Sequence, residues 1–118
     1  MTQLVNFTNG KVLVNHLSEA KSFWRRFRGL MFTNTFPKGN GLHIEPCRQI
    51  HTFFMKYPID VLYLNREGQI VGIDIDLQTW KFGKKYSEAV SVIELPTGTI
   101  RETETEIGQY VKKIKRER

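Results

Sequence analysis

A single cysteine, Cys47, leaves the chain without a partner for an internal disulfide, so nothing in it asks for an oxidising compartment. No stretch approaches the roughly 18 consecutive apolar residues of a membrane-crossing helix, and MTQLVNFTNG at the start lacks the basic region and apolar core of a secretory leader. No pair of cysteines or histidines has the spacing of a zinc site, and no catalytic motif of known mechanics is present. Internal repeats and linkers are missing too. The expectation is a soluble, cytoplasmic protein that forms a single domain over residues 1–118, a length that usually folds unaided.

Acidic residues are outnumbered, 12 against 18 Lys and Arg, for a net charge of +6. The last seven residues, KKIKRER, hold five Lys or Arg and one Glu, so +4 sits there and the other 111 residues carry +2. Residues 112–118 therefore read as a basic, solvated tail. Charge of this kind speaks to solubility and encounter, and nucleic acid is a partner it permits without favouring.

What is present is β structure. Two β-rich runs in residues 3–17 flank Asn9-Gly10, whose positive-φ preference predicts a type I′ hairpin. SEAKSFWRRFR, residues 18–28, reads as a helix with Ser18 as its cap and Gly29 as its stop. Ala20, Phe23, Trp24 and Phe27 share one face, which must lie on a sheet, and Lys21, Arg25, Arg26 and Arg28 take the other. A loop follows, anchored by Leu30, Met31 and Phe36. Strands are then expected at Gly41–Glu45, Gln49–Met55, Ile59–Leu64, Gln69–Leu77, Ala89–Leu95 and Gln109–Ile114, with an irregular arm or short helix over Thr99–Ile107. The aperiodic segment 78–87 carries Trp80, Phe82 and Tyr86, aromatics that pin a long loop to a core or form a flap over a cavity.

The central stretch from Cys47 to Leu64 concentrates the candidates for chemistry. His43, Cys47, His51 and Met55 recur at steps of four, a soft set that suits Cu(I). Pro46 breaks that register, and buried Cys and Met are ordinary core residues, so neither a metal nor a cofactor is expected. Cys47 reads as an inert structural thiol in preference to a nucleophile. Asp60, between Ile59 and Val61, must be either solvated or buried with a partner, and Arg28 or turn amides are the candidates; a structural tie is preferred to a general base. Glu94, between Ile93 and Leu95, poses the same question.

RGLM at Arg28–Met31, GLHIEPC at Gly41–Cys47, IHTFFM at Ile50–Met55, IDVLYLN at Ile59–Asn65, EGQIVGI at Glu67–Ile73 and VIELPTGTI at Val92–Ile100 occur in order. Together they resemble the bacterial and archaeal family called domain of unknown function 192, over a core of about Arg28 to Val111. The family's usual Gly-Asp near the C-terminus is Gly108-Gln109 here. The resemblance implies a compact, mostly antiparallel barrel or rolled sheet with a packed helix, and it implies no activity.

These readings converge on an α+β domain, mostly antiparallel β, a barrel or rolled sheet with one amphipathic helix packed on it. The function expected is a small ligand-binding or interaction module with a pocket near the central hairpin. Arg28, His51, Asp60 and Glu94 are its polar groups, Trp80 or Phe82 is its cover, and a small anionic ligand is its occupant. The alternative is a hydrolase-like enzyme using Asp60 or His51 as general base, and a weaker one is nucleic-acid binding through the basic helix face and tail.

Overall fold

Asn9-Gly10 does produce a hairpin. In the computed structural model, which describes residues 1–116, it joins β1 (Thr2–Asn6) to β2 (Val12–Val14) as an antiparallel pair. The turn is longer than type I′, because only Gly10 has positive φ and Asn6 Oδ1 organises the loop by accepting from the amides of Thr8 and Asn9.

The remaining elements are β3 (His16–Ala20), α1 (Phe23–Arg28), β4 (Asn40–Ile44), β5 (Ile59–Leu64), β6 (Ile70–Leu77), β7 (Ser91–Pro96), α2 (Thr99–Glu102) and β8 (Val111–Lys115). They form two open sheets, of order β2-β1-β8 and β3-β4-β7-β5-β6, and not a closed barrel. All pairings are antiparallel except β3 with β4. β5 and β7, buried along their whole length, lie side by side within the larger sheet.

Strand alternation divides the core in two. Leu62, Leu64, Ile93 and Leu95 point to one face, where they meet Leu4, Val14 and Val111 of the smaller sheet. Ile59, Val61, Tyr63 and Val92 point to the other, with Ile44, Ile50 and Met55. This second face is covered by loops.

Three expectations change here. Residues 18–20 are not helical; they continue the edge strand His16–Ala20 against β4, with Leu17 and Ala20 buried, and Ser22 replaces Ser18 as the cap by accepting from the Arg25 amide. The helix left over is only six residues long and buries none of them: Phe23, Trp24 and Phe27 are 76%, 64% and 52% exposed. Its aromatic face is not packed on the sheet.

Residues 49–55 are not a strand. Only the His51–Phe82 bridge is ladder-like, and Thr52 binds the chain to the 78–81 segment instead, through its amide to the Lys81 carbonyl and its hydroxyl to the Gln78 carbonyl. The strand expected over Gln109–Ile114 is β8, so Lys112–Lys115 pair with β1 while the Lys112, Lys113 and Lys115 side chains stay exposed; residues 117–118 of the basic tail lie outside the described residues.

Candidate functional site

The register of β5 against β7 decides which acidic residue reaches the loop-covered face. Val61 stands opposite Glu94 and Asp60 opposite Leu95, so Glu94 shares the face of Val61 and Val92 while Asp60 points the other way. Fully buried, the Asp60 carboxylate accepts from the amides of Asp76 at 2.9 Å and of Gly98 and Ile100 at 3.1 Å each. It ties β5 to β6 and to the start of α2. The structural tie to backbone amides is the arrangement present.

Glu94 is 2% exposed, and its Oε1 has no hydrogen-bond partner among the described residues. Burial alone pushes its carboxyl up to about 8, so the side chain is largely a neutral acid at neutral pH, with one O–H to donate and lone pairs to offer.

Above Glu94 lies a cavity of about 300 Å³. Arg26, Arg28, Cys47, Gln49 and His51 bring polar groups to it, and Phe23, Phe27, Leu30, Ile44 and Ile50 supply apolar wall. Gly29 stops α1 at φ 50°, returning its amide to the Arg25 carbonyl at 2.9 Å. A Cβ at this position would lie 3.6 Å from Glu94 Oε1, so any longer side chain would grow into the space over the carboxyl.

His51 Nδ1 accepts from the Phe53 amide at 3.2 Å, which leaves Nε2 to carry the proton of the neutral ring. Cys47 donates its thiol proton to the Gln49 carbonyl at 3.2 Å. Burial pushes the thiol up; the bond to Gln49 opposes this, the Glu94 carboxylate adds to it and Arg26 offsets it. The net direction is upward, which favours the thiol over the thiolate.

Of the four polar candidates, Arg28, His51 and Glu94 line one cavity and Asp60 does not. Trp80 and Phe82 do not cover it either; Phe23 and Phe27 do. The four residues at steps of four scatter, since Cys47 and His51 line the cavity while His43 is held by Glu19 at 2.8 Å and Met55 packs in the core. Among the described residues no three His, Cys, Asp or Glu are grouped as a metal would require. Arg26 and Gln49 were missed. Arg26 stood on a helix face that looked merely solvated, and the structure places it in the cavity lining.

Arg28, Cys47, His51 and Glu94 each come from a stretch that carries the family resemblance, and the match to the family DUF192, described as "Uncharacterized ACR", extends over residues 4–113. The chain belongs to this family. UPF0127 proteins of Thermococcus sibiricus and Pyrococcus furiosus are 35% and 30% identical to it, over 92% and 89% of this chain and 72% and 92% of theirs. Two solved structures share the fold at lower identity. A protein of unknown function from Novosphingobium aromaticivorans superposes with a TM-score of 0.79 at 15% identity, over 94% of this chain and 82% of that one. A protein from Sinorhizobium meliloti, solved as a proposed transcription regulator, gives 0.80 at 18% identity, over 95% and 91%. DUF192 is a family of unknown function, and these likenesses extend only to fold.

The departure from the family's Gly-Asp has a local account. Gly108 turns the chain at φ 96°, and Gln109 Oε1 accepts from Asn6 Nδ2 at 2.8 Å and from the Glu106 amide at 2.9 Å. In this chain position 109 ties the first hairpin to the last turn.

Proposed function

We propose that the protein is a small ligand-binding module and that the cavity beneath α1 is its site. The observation that carries this reading is the unpartnered Oε1 of Glu94 at the cavity floor. A buried polar atom left without a partner costs about 1–3 kcal/mol, and a ligand that hydrogen-bonds it removes that cost. The occupant that fits is a small molecule with a neutral polar group, such as a hydroxyl or amide, for Glu94, and a carboxylate or phosphate for the Arg26 and Arg28 guanidinium groups, which match such anions with paired N–H donors. The volume lies at the lower end of the roughly 300–1,000 Å³ of small-molecule sites. Asp60 supports the site from the opposite face, by holding β5 in place, and takes no general-base role in this reading. A cytoplasmic setting, in which the lone Cys47 stays reduced, suits it.

A thermal-shift series with small carboxylates, phosphates and hydroxy acids tests the reading, because a ligand that binds only the folded state raises the melting temperature by mass action. A hit should weaken at least tenfold in both Arg28→Ala and Glu94→Gln. A series without any hit, or a hit that both substitutions leave untouched, removes the proposal.

A further inference from the structure

The loops that cover the cavity face carry an unusual surface. Residues 21–33, 46–57 and 79–86 hold seven Phe and Trp side chains between 48% and 76% exposed. Ring contacts through His51 and Phe53 make all of them but Phe23 continuous: Trp24 meets Phe27 at 5.9 Å, Phe27 meets His51 at 5.8 Å and His51 meets Phe53 at 5.1 Å. Phe53 touches Phe82 at 4.9 Å and Trp80 at 5.8 Å, and Phe54 bridges Trp80 at 4.7 Å and Phe32 at 5.4 Å. With large aromatics burying about 150–250 Å² each, the apolar area left in water is on the order of 700 Å², more than a monomer ordinarily exposes in one patch. Phe32, Phe54 and Trp80 are held there at φ 66°, 62° and 62°, a conformation that bulky residues rarely adopt.

The charge on the same loops has one sign. They contain four, two and three Lys or Arg respectively and no Asp or Glu, although the chain has 12 acidic residues. All four ion pairs found among the described residues lie elsewhere. A partner for this face must therefore be apolar where the rings are and anionic around them.

We infer that this face docks on an anionic lipid surface, with the aromatic side chains in the headgroup region and the lysines and arginines on lipid phosphates and carboxylates. Single-stranded nucleic acid also combines negative charge with stacking, but it needs open ring faces. Here the rings in contact lean on one another at interplanar angles from 28° to 68°, so that apart from the Phe53–Trp80 pair they are tilted and not set in parallel. A bilayer interface makes no such directional demand; it takes apolar area of any shape and favours Trp and Phe flanked by Lys and Arg. Attachment would be peripheral, since no helix among the described residues is long and apolar enough to cross a membrane. This inference does not rest on the cavity as a ligand site, and its test uses residues outside the cavity lining.

The experiment is sedimentation of the protein with phosphatidylcholine vesicles, with and without about one-third phosphatidylserine. Fluorescence is followed in parallel, because both tryptophans of the chain, Trp24 and Trp80, stand on this face. Binding at least tenfold tighter to the anionic vesicles, reduced by added salt and accompanied by a blue shift, is the expected result. The double variant Phe54→Ser/Trp80→Ser and the triple variant Lys81→Glu/Lys84→Glu/Lys85→Glu should each lose at least tenfold in vesicle affinity while melting within a few degrees of the wild type. Failure to sediment with anionic vesicles, or binding that both variants retain, overturns the inference. So does tighter binding to an oligothymidylate, which would give the face to nucleic acid, or to a polyglutamate peptide, which would give it to an acidic protein.

Discussion

Glu94 and Asp60 show how much one side chain's surroundings decide. Both interrupt apolar strands in the same way, and from the residues alone both read as structural ties or site groups. The structure gives Asp60 three amides and leaves Glu94 Oε1 with none. Their difference follows from the β5–β7 register, which depends on strands far apart in the chain, and so it could not be read from either residue's neighbours. A pH dependence follows. The Glu94 carboxyl is near 8 in the folded chain against an ordinary 4.5, so between these values the folded state holds a proton that the unfolded state has released. Its contribution to stability is present at low pH and is lost as pH rises toward 8, an effect on the order of a few kcal/mol. Melting temperature measured from pH 5 to pH 8 should fall in the wild type and run flatter in Glu94→Gln, with the variant the more stable of the two at the upper end. Parallel curves for the two proteins would contradict the assignment.

Elements bounded by their own turn chemistry were legible. The strands at 59–64 and 70–77 fall where Pro58 and the Asn65–Gly68 turn place them, and Pro46 follows the end of β4 by two residues. Elements whose state depends on distant partners were not. Residues 18–20 satisfy a helical pattern and still become strand, because β4 offers them a ladder across which Glu19 finds His43 at 2.8 Å, and Lys113 of β8 reaches Glu19 at 3.1 Å from the other sheet. The 78–87 loop was read correctly at Tyr86 alone, whose ring lies 4.6 Å from Tyr63 and covers Gly72. A Cβ on Gly72 would sit 2.3–2.5 Å from atoms of the Tyr86 ring, so Gly72→Ala should destabilise by about 2–3 kcal/mol in urea titration. Adding Tyr86→Ala should then cost less than it does in the wild type, since the ring will already have been displaced; full additivity would show that the loop is not fastened there.

At the scale of the molecule, 34 × 33 × 27 Å in extent, the two faces of the large sheet are finished differently. One is closed by a second sheet and the other by loops and a short helix that buries nothing. Stability should divide along the same line. In native-state hydrogen exchange, the amides of β5 and β7 should open only with global unfolding, while those of residues 21–33 and 46–57 should exchange through lower-energy local openings. Uniform protection across both groups would mean that the loops are as firmly built as the sheet. The strand order of the smaller sheet has a separate consequence. β1 lies between β2 and β8, so of the described strands the earliest made is flanked by the latest. While synthesis proceeds, the β1–β2 hairpin must wait with one edge unpaired until residues 111–115 are released. Leu4 has no Val111 to pack against until then. A chain from which residues 111–115 have not yet emerged therefore presents a ready template for strand addition, and chains truncated before them would begin to aggregate there.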